Sequence, residues 1–163
     1  MIYLGFAAGV TIRASQQLGA ESYEGARYSV KVGTNFNVLL AFVLTFVFWV
    51  FRDPLVSLYS NDAEVIRLAA QLLLFGAAFQ VVDCLQAATI AALRAYHDTV
   101  SAPKIQVFAY WLIGLPVAIW LGFYSELPGI SGPYGFWVAM LVSLTISGLL
   151  LLRRLLKVLA QQP

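Results

Sequence analysis

The residue best equipped for chemistry is Asp83, which interrupts an otherwise charge-free stretch from Leu68 to Leu93. A carboxylate can take up a proton or ligate a cation, and holding one charged at the centre of a membrane helix costs at least about 2.5 kcal/mol on insertion scales. Something must offset that cost: a cation, a proton, a polar partner on another helix, or water in a cavity. On a helix, Phe79, Asp83, Gln86 and Ile90 recur at three- and four-residue spacing, with Gln80 beside them. A face carrying an acid and two amides is expected to point away from lipid. Gln80 and Gln86 are then expected to orient Asp83 or to line a cavity around it. The alternative at this stage is that Asp83 only ties helices together through hydrogen bonds.

Little else in the chain suggests reactive chemistry. The single cysteine, Cys84, has no second thiol to pair with and no Cys or His partner at metal-ligand spacing. It is expected to be a buried, inert thiol. No histidine, serine or cysteine constellation surrounds Asp83 and no glycine loop fits a nucleotide, so an enzyme is the least favoured class. No cofactor is expected, and the one metal considered is a sodium ion at Asp83, as the alternative to a proton. His97 and Asp98 fall in a turn and are expected to be solvated. Arg13, near the end of the first apolar stretch, can snorkel to an interface and is expected to have a topological role.

The elements that must position Asp83 follow from composition. Of 163 residues, 61% are hydrophobic and 11% charged, against about 45–50% and about 25% in ordinary soluble domains. The net charge of +2 leaves no electrostatic footprint for nucleic acid, and the expected surroundings are membrane lipid. A helix needs about 20 apolar residues to cross the hydrocarbon core. Residues 32–51, 68–93, 105–125 and 134–152 meet that requirement, and residues 1–16 form a shorter candidate, too short to cross, whose beginning is expected to be missing. The predicted fold is therefore all-α: a polytopic transmembrane bundle of four full spans plus one truncated N-terminal helix. The run LPGISGPY from Leu127 reads as a loop, and Asn61 or Asp62 as the N-cap of the second span. Pro116, behind Gly114, is expected to break a backbone hydrogen bond and bend the third span.

Charge placement gives an orientation. Arg27, Lys31, Arg94, Lys104, Arg153, Arg154 and Lys157 fall on one side if the spans alternate, while Arg52 and Arg67 share the other with Asp53, Asp62, Glu64 and Glu126. By the positive-inside rule this places the C-terminus in the cytoplasm. Tryptophans and tyrosines near span ends fit interfacial anchors or contacts with neighbouring helices.

Three stretches together carry a resemblance: TIRASQQLGA from Thr11, FQVVDCLQAATIAALRAYHDT from Phe79, and PGISGPYGFWVAMLVSLTISGLLLLRRL from Pro128. In that order and spacing they resemble the C-terminal half of multidrug and toxic compound extrusion (MATE) transporters of the NorM-like branch. The most specific element is the acid in Q-x-x-D followed eleven residues later by the R-x-x-x-D-T turn. The resemblance implies twelve helices in two lobes, of which this chain supplies the end of the eighth and all of the ninth to twelfth. It implies antiport of sodium ions or protons against organic, often cationic, drugs across a bacterial inner membrane. Asp83 stands where the tenth-helix acid helps bind the coupling cation. Phe79 stands where some members have tyrosine, so one ligand oxygen is lost. With the N-terminal lobe missing, transport by this chain alone is not expected. The competing readings are a small homodimeric multidrug exporter and a non-transporting membrane scaffold or assembly subunit.

Overall fold

The computed structural model describes residues 2–59, 61–124 and 132–161. Helix α1 runs Ile2–Gly19, α2 Tyr23–Val50, the short α3 Arg52–Ser57, α4 Ala63–Ala95, α5 Ser101–Tyr124 and α6 Pro133–Ala160. Helices α2, α4, α5 and α6 are long and apolar enough to cross a membrane, which with the 18-residue α1 makes the bundle of four spans and one shorter helix. Most of the loop expected after Leu127 lies outside the described residues, as do Ser60 and Glu126.

The helices overrun several of the charge-free windows. The window 32–51 becomes Tyr23–Val50, and 134–152 becomes Pro133–Ala160. Charge marks where hydrocarbon ends, whereas a helix ends where its backbone bonds do, so Glu24, Arg27 and Lys31 ride on α2 and Arg153, Arg154 and Lys157 on α6. Helix α4, at 33 residues, is about 50 Å long at about 1.5 Å per residue, well beyond a hydrocarbon core of about 30 Å. Its N-cap is Asp62, whose Oδ1 accepts from the amides of Glu64 at 2.9 Å and Val65 at 3.4 Å. Helices α1 and α4 both end in left-handed residues other than glycine, Glu21 at φ 59° and His97 at φ 61°. The closing bonds Ser22 N to Gln17 O and Asp98 N to Leu93 O are the kind that glycine usually completes.

Helix α1 lies parallel to α4, because Tyr3 meets Asp83 and Thr11 meets the Ala91 carbonyl at a constant offset along both helices. The start of α6 likewise sits by the start of α4, where Tyr134 Oη donates to Gln71 Oε1 at 2.5 Å. Helix α2 runs against them: Thr45 near its end bonds the Ala77 carbonyl, and Arg27 near its start donates to Leu159 O at the end of α6. Lipid-like surroundings supply little drive for burying leucine between helices, so close approach of small residues does the packing. Ala14, Ala26, Ala41, Ala88, Ala92 and Ala139 are fully buried. Phe42, Phe46, Trp111 and Trp120 stand exposed on the outside.

One end of the bundle gathers the turn after α1, the turn after α4 and the last turns of α6, together with the seven basic residues grouped by sequence. There Arg154 Nε meets Asp98 Oδ2 at 2.6 Å. This is called the basic end below. Helix α5 departs from regular α geometry: Phe108–Gly114 and Trp120–Tyr124 are wider π-helical turns around the α segment Leu115–Ile119 that contains Pro116. Proline has no amide to donate, and wide turns on both sides absorb the missing bond without breaking the helix.

Candidate functional site

Asp83 sits two-thirds of the way along α4, half-buried, and the Tyr3 hydroxyl of α1 donates to its Oδ2. The parallel packing of α1 and α4 makes that contact, and sequence reasoning missed Tyr3, which lies in an apolar run 80 residues from its acceptor. From Asp83 a cavity of about 310 Å³ extends between α1, α4 and α5. Its polar walls are Asp83, Gln86, Thr11, Gln106 and Arg94. Asp83 and Arg94 are eleven residues apart on one helix, about 16 Å at about 1.5 Å per residue. The cavity is thus a groove leading from the acid toward the basic end.

The two glutamines go different ways. Gln86 is 2% exposed, yet it also touches the groove; its Nε2 donates to the Tyr110 hydroxyl at 2.9 Å. Tyr110 is carried on the first π-helical stretch of α5, so this tyrosine is an internal partner of α4. Gln80 does not orient Asp83, contrary to expectation: its Nε2 points at Cys84 Sγ, 3.9 Å away. Three residues before Asp83, Gln80 is rotated by about 60° and falls just past the edge of the face formed by Asp83, Gln86, Ala87, Ile90 and Arg94. Phe79 is partly buried but is not part of the groove wall. Ile90 is. Cys84 is fully buried, as expected.

Asp98 is tied down instead of merely solvated. Burial alone would raise its pKa, but hydrogen bonds from the Ser101 side chain, from Arg154 and from the Ser101 amide outweigh burial and hold it below the usual carboxylate range. The backbone bond from Ser101 N to its Oδ1 is 3.2 Å. Asp98 therefore opens α5 and clasps it to α6. Nearby, burial pushes the Tyr96 phenol up, against the opposing pull of Arg27.

A larger cavity, about 560 Å³, lies between α1 and α2. Gly5, Gly9, Gly33 and Phe36 line it, with Arg13 and Gln17 toward the basic end. It contains no acid, so the carboxylate chemistry belongs to the smaller groove. Among the described residues no group of three or more His, Cys, Asp or Glu could hold a metal ion. A cation at Asp83 would depend on neutral oxygens such as those of Tyr3 and Gln86, since Thr11 sits level with Ala91, about 12 Å farther along the helix.

Fold and site together define a polytopic helical membrane protein with an acid set inward on its longest helix and a polar groove beginning at that acid. The MatE family model matches residues 1–120, and the chain belongs to that family of transporters. It is 34% identical over 155 residues to "Multidrug resistance protein MdtK" of Photorhabdus laumondii, covering 95% of this chain and 34% of that protein. It is 36% identical over 156 residues to "Multidrug resistance protein NorM" of Aliivibrio fischeri, with 96% and 34% covered. With "Multidrug resistance protein PmpM" of Pseudomonas aeruginosa it shares 37% over 155 residues, 95% and 32% covered. The chain thus spans about a third of the length of the curated relatives it matches. Among solved structures, the eukaryotic MATE transporter AtDTX14 superposes with a TM-score of 0.85 at 21% identity, over 99% of this chain and 36% of that one. That likeness concerns the fold.

Proposed function

We propose that this chain is the greater part of the C-terminal lobe of a cation-coupled multidrug efflux antiporter of a bacterial inner membrane, with its basic end and C-terminus in the cytoplasm. The observation that carries this reading is the setting of Asp83: an inward acid at membrane depth, capped by a tyrosine from a parallel helix and continuous with a polar groove. Asp83 is held by the Tyr3 hydroxyl and borders a groove whose walls also carry Gln86, Thr11 and Gln106, polar groups that a coupling ion and its water would use. Asp83 takes up the coupling ion, a sodium ion or a proton. Tyr3 holds the carboxylate in place and supplies the phenol oxygen that Phe79 lacks. Gln86, fixed by Tyr110, adds an amide at the same wall. The exported compounds are organic and cationic, in keeping with an acid as the shared site. Drug passage requires a second lobe to close the cavity from the other side, since alternating access rests on one half rocking against the other.

The test is a chimera in which this chain replaces the corresponding third of the Aliivibrio fischeri protein named above. Efflux of a fluorescent organic cation from everted vesicles, driven by a sodium or proton gradient, is expected to collapse in Asp83→Asn and to fall severalfold in Tyr3→Phe. Gradient-driven efflux that persists unchanged in Asp83→Asn removes the coupling role.

A further inference from the structure

The groove below Asp83 ends at a charge that has no counterpart. Arg154 is neutralised by Asp98, and Arg27 donates to the Leu159 carbonyl. Arg94, in the last turn of α4, makes no side-chain hydrogen bond or ion pair among the described residues, and it lines the groove. Helical side chains lean toward the N-terminus of their helix, which directs Arg94 from the basic end back along the groove toward Asp83. The walls between the two carry Thr11, Gln86 and Gln106. The Thr11 hydroxyl donates to the Ala91 carbonyl at 3.0 Å and keeps its oxygen as an acceptor on the groove side. A space of about 310 Å³ with such walls has both the room and the polar partners that water requires.

We propose that this groove is a water-filled exit joining Asp83 to the basic end, and that Arg94 makes its mouth electropositive, weakening the hold of Asp83 on a cation when the acid opens to that side. The route is walled by α1, α4 and α5 of this chain. The cation as its traffic rests on the coupling role proposed for Asp83; the passage and the charge at its mouth do not. A guanidinium about 10 Å from a point in the groove changes the local concentration of a monovalent ion by about two- to tenfold at the effective dielectric of a wet protein interior.

The experiment reads that potential directly. The chain, with Cys84→Ala and a single new thiol from Ala87→Cys in the groove wall, is reconstituted in lipid vesicles with the basic end accessible. Reaction rates are measured with anionic methanethiosulfonate ethylsulfonate and with its cationic trimethylammonium analogue. Asp83 pulls the cationic reagent in, so the readout is the change made by Arg94. Each reagent shifts about two- to tenfold in opposite directions, so with Arg94→Gln the anionic-to-cationic rate ratio is expected to fall about four- to hundredfold, and Arg94→Lys is expected to keep it. A thiol from Leu39→Cys, on the lipid-facing side of α2, is expected to stay unreactive in the same vesicles. An inert Ala87→Cys, with reagent applied at the basic end, overturns the passage. An unaltered ratio in Arg94→Gln overturns the role of Arg94. Failure of Asp83→Asn to affect efflux in the chimera would leave both rate measurements standing, so the two ideas fail separately.

Discussion

The pair Gln86 and Tyr110 sets how rigidly α4 is held against α5 beside the acid, and its energy can be bounded. Gln86 is 2% exposed, and Tyr110 is the hydrogen-bond partner recorded for its side chain, at 2.9 Å as donor and 3.3 Å as acceptor. Tyr110→Phe leaves a buried amide without that partner, which in soluble proteins costs about 1–3 kcal/mol. Interhelical hydrogen bonds in a bilayer average nearer about 0.6 kcal/mol, reaching about 1.7, because the separated helices also find partners. Gln86 touches the groove, where water can take over part of the lost bond, so about 1 kcal/mol is expected. Gln86→Met is expected to lose a similar amount. The double variant should lose little more than either single one, giving a coupling energy of about 1 kcal/mol. Reversible unfolding of the chain in bicelles, followed for all four members of the cycle, measures it. Losses that simply add, with coupling inside the scatter of about 0.3–0.5 kcal/mol seen for independent sites, would refute the assignment of this pair as a fastening of α4 to α5.

Three further outcomes follow from single features of the fold. Asp98 has its pKa lowered, so its contribution to stability is present above the unfolded value of about 3.9 and is lost as pH falls through the folded one. Arg154→Gln is expected to move the Asp98 carboxyl titration upward in an NMR pH series; a midpoint that stays put would show that Ser101 alone sets it. Glu21→Gly and His97→Gly relieve left-handed backbone at φ 59° and 61°. Each is expected to stabilise by up to about 1 kcal/mol, with a loss of stability in both counting against the strain. A Cβ on Gly114 would lie 2.8 Å from Ser143 Cβ. Gly114→Ala is therefore expected to cost about 1–3 kcal/mol, to be rescued by Ser143→Gly and not by Ser143→Ala; equal rescue by both would place the crowding at the hydroxyl instead.

Much of the architecture could be read from the order of residues, because lipid leaves so few choices. An apolar stretch of twenty residues has to satisfy its own backbone, and the helix is the form that does so within one segment. The four long helices and Asp62 as an N-cap follow from that local logic. The helix ends do not, since Arg27 and Lys31 mark the edge of hydrocarbon while α2 begins at Tyr23. The π-helical turns flanking Pro116 were equally hidden: a missing amide predicts a disturbance, but the way neighbouring turns absorb it depends on what packs against α5. Gln80 shows the limit of spacing rules. Its place beside Asp83 on a helical wheel suggested a partner, and the structure turns its amide to Cys84.

The setting of Asp83 illustrates why its surroundings were the least legible part. One helix has to satisfy two demands at this depth: tight packing against neighbours, and a polar opening at the acid. Helix α4 divides them around its circumference. Ala77, Cys84, Ala88, Ala92 and Ala95 are buried against other helices, while Asp83, Gln86, Ala87, Ile90 and Arg94 line the groove. Small residues on the first set bring α1 and α2 close, and that closeness is what delivers the Tyr3 hydroxyl to Asp83. The sequence announces the acid because a charge among apolar residues is conspicuous at any distance. Its partners are ordinary residues on other helices, Tyr3 on α1 and Tyr110, which holds Gln86, on α5. They become a site only through the alanines that set the spacing. Enlarging Ala88 or Ala92 should therefore disturb Asp83 without touching it, and loss of cation-driven efflux in the chimera carrying Ala88→Leu, with the protein still folded, is the expected sign that packing positions the acid.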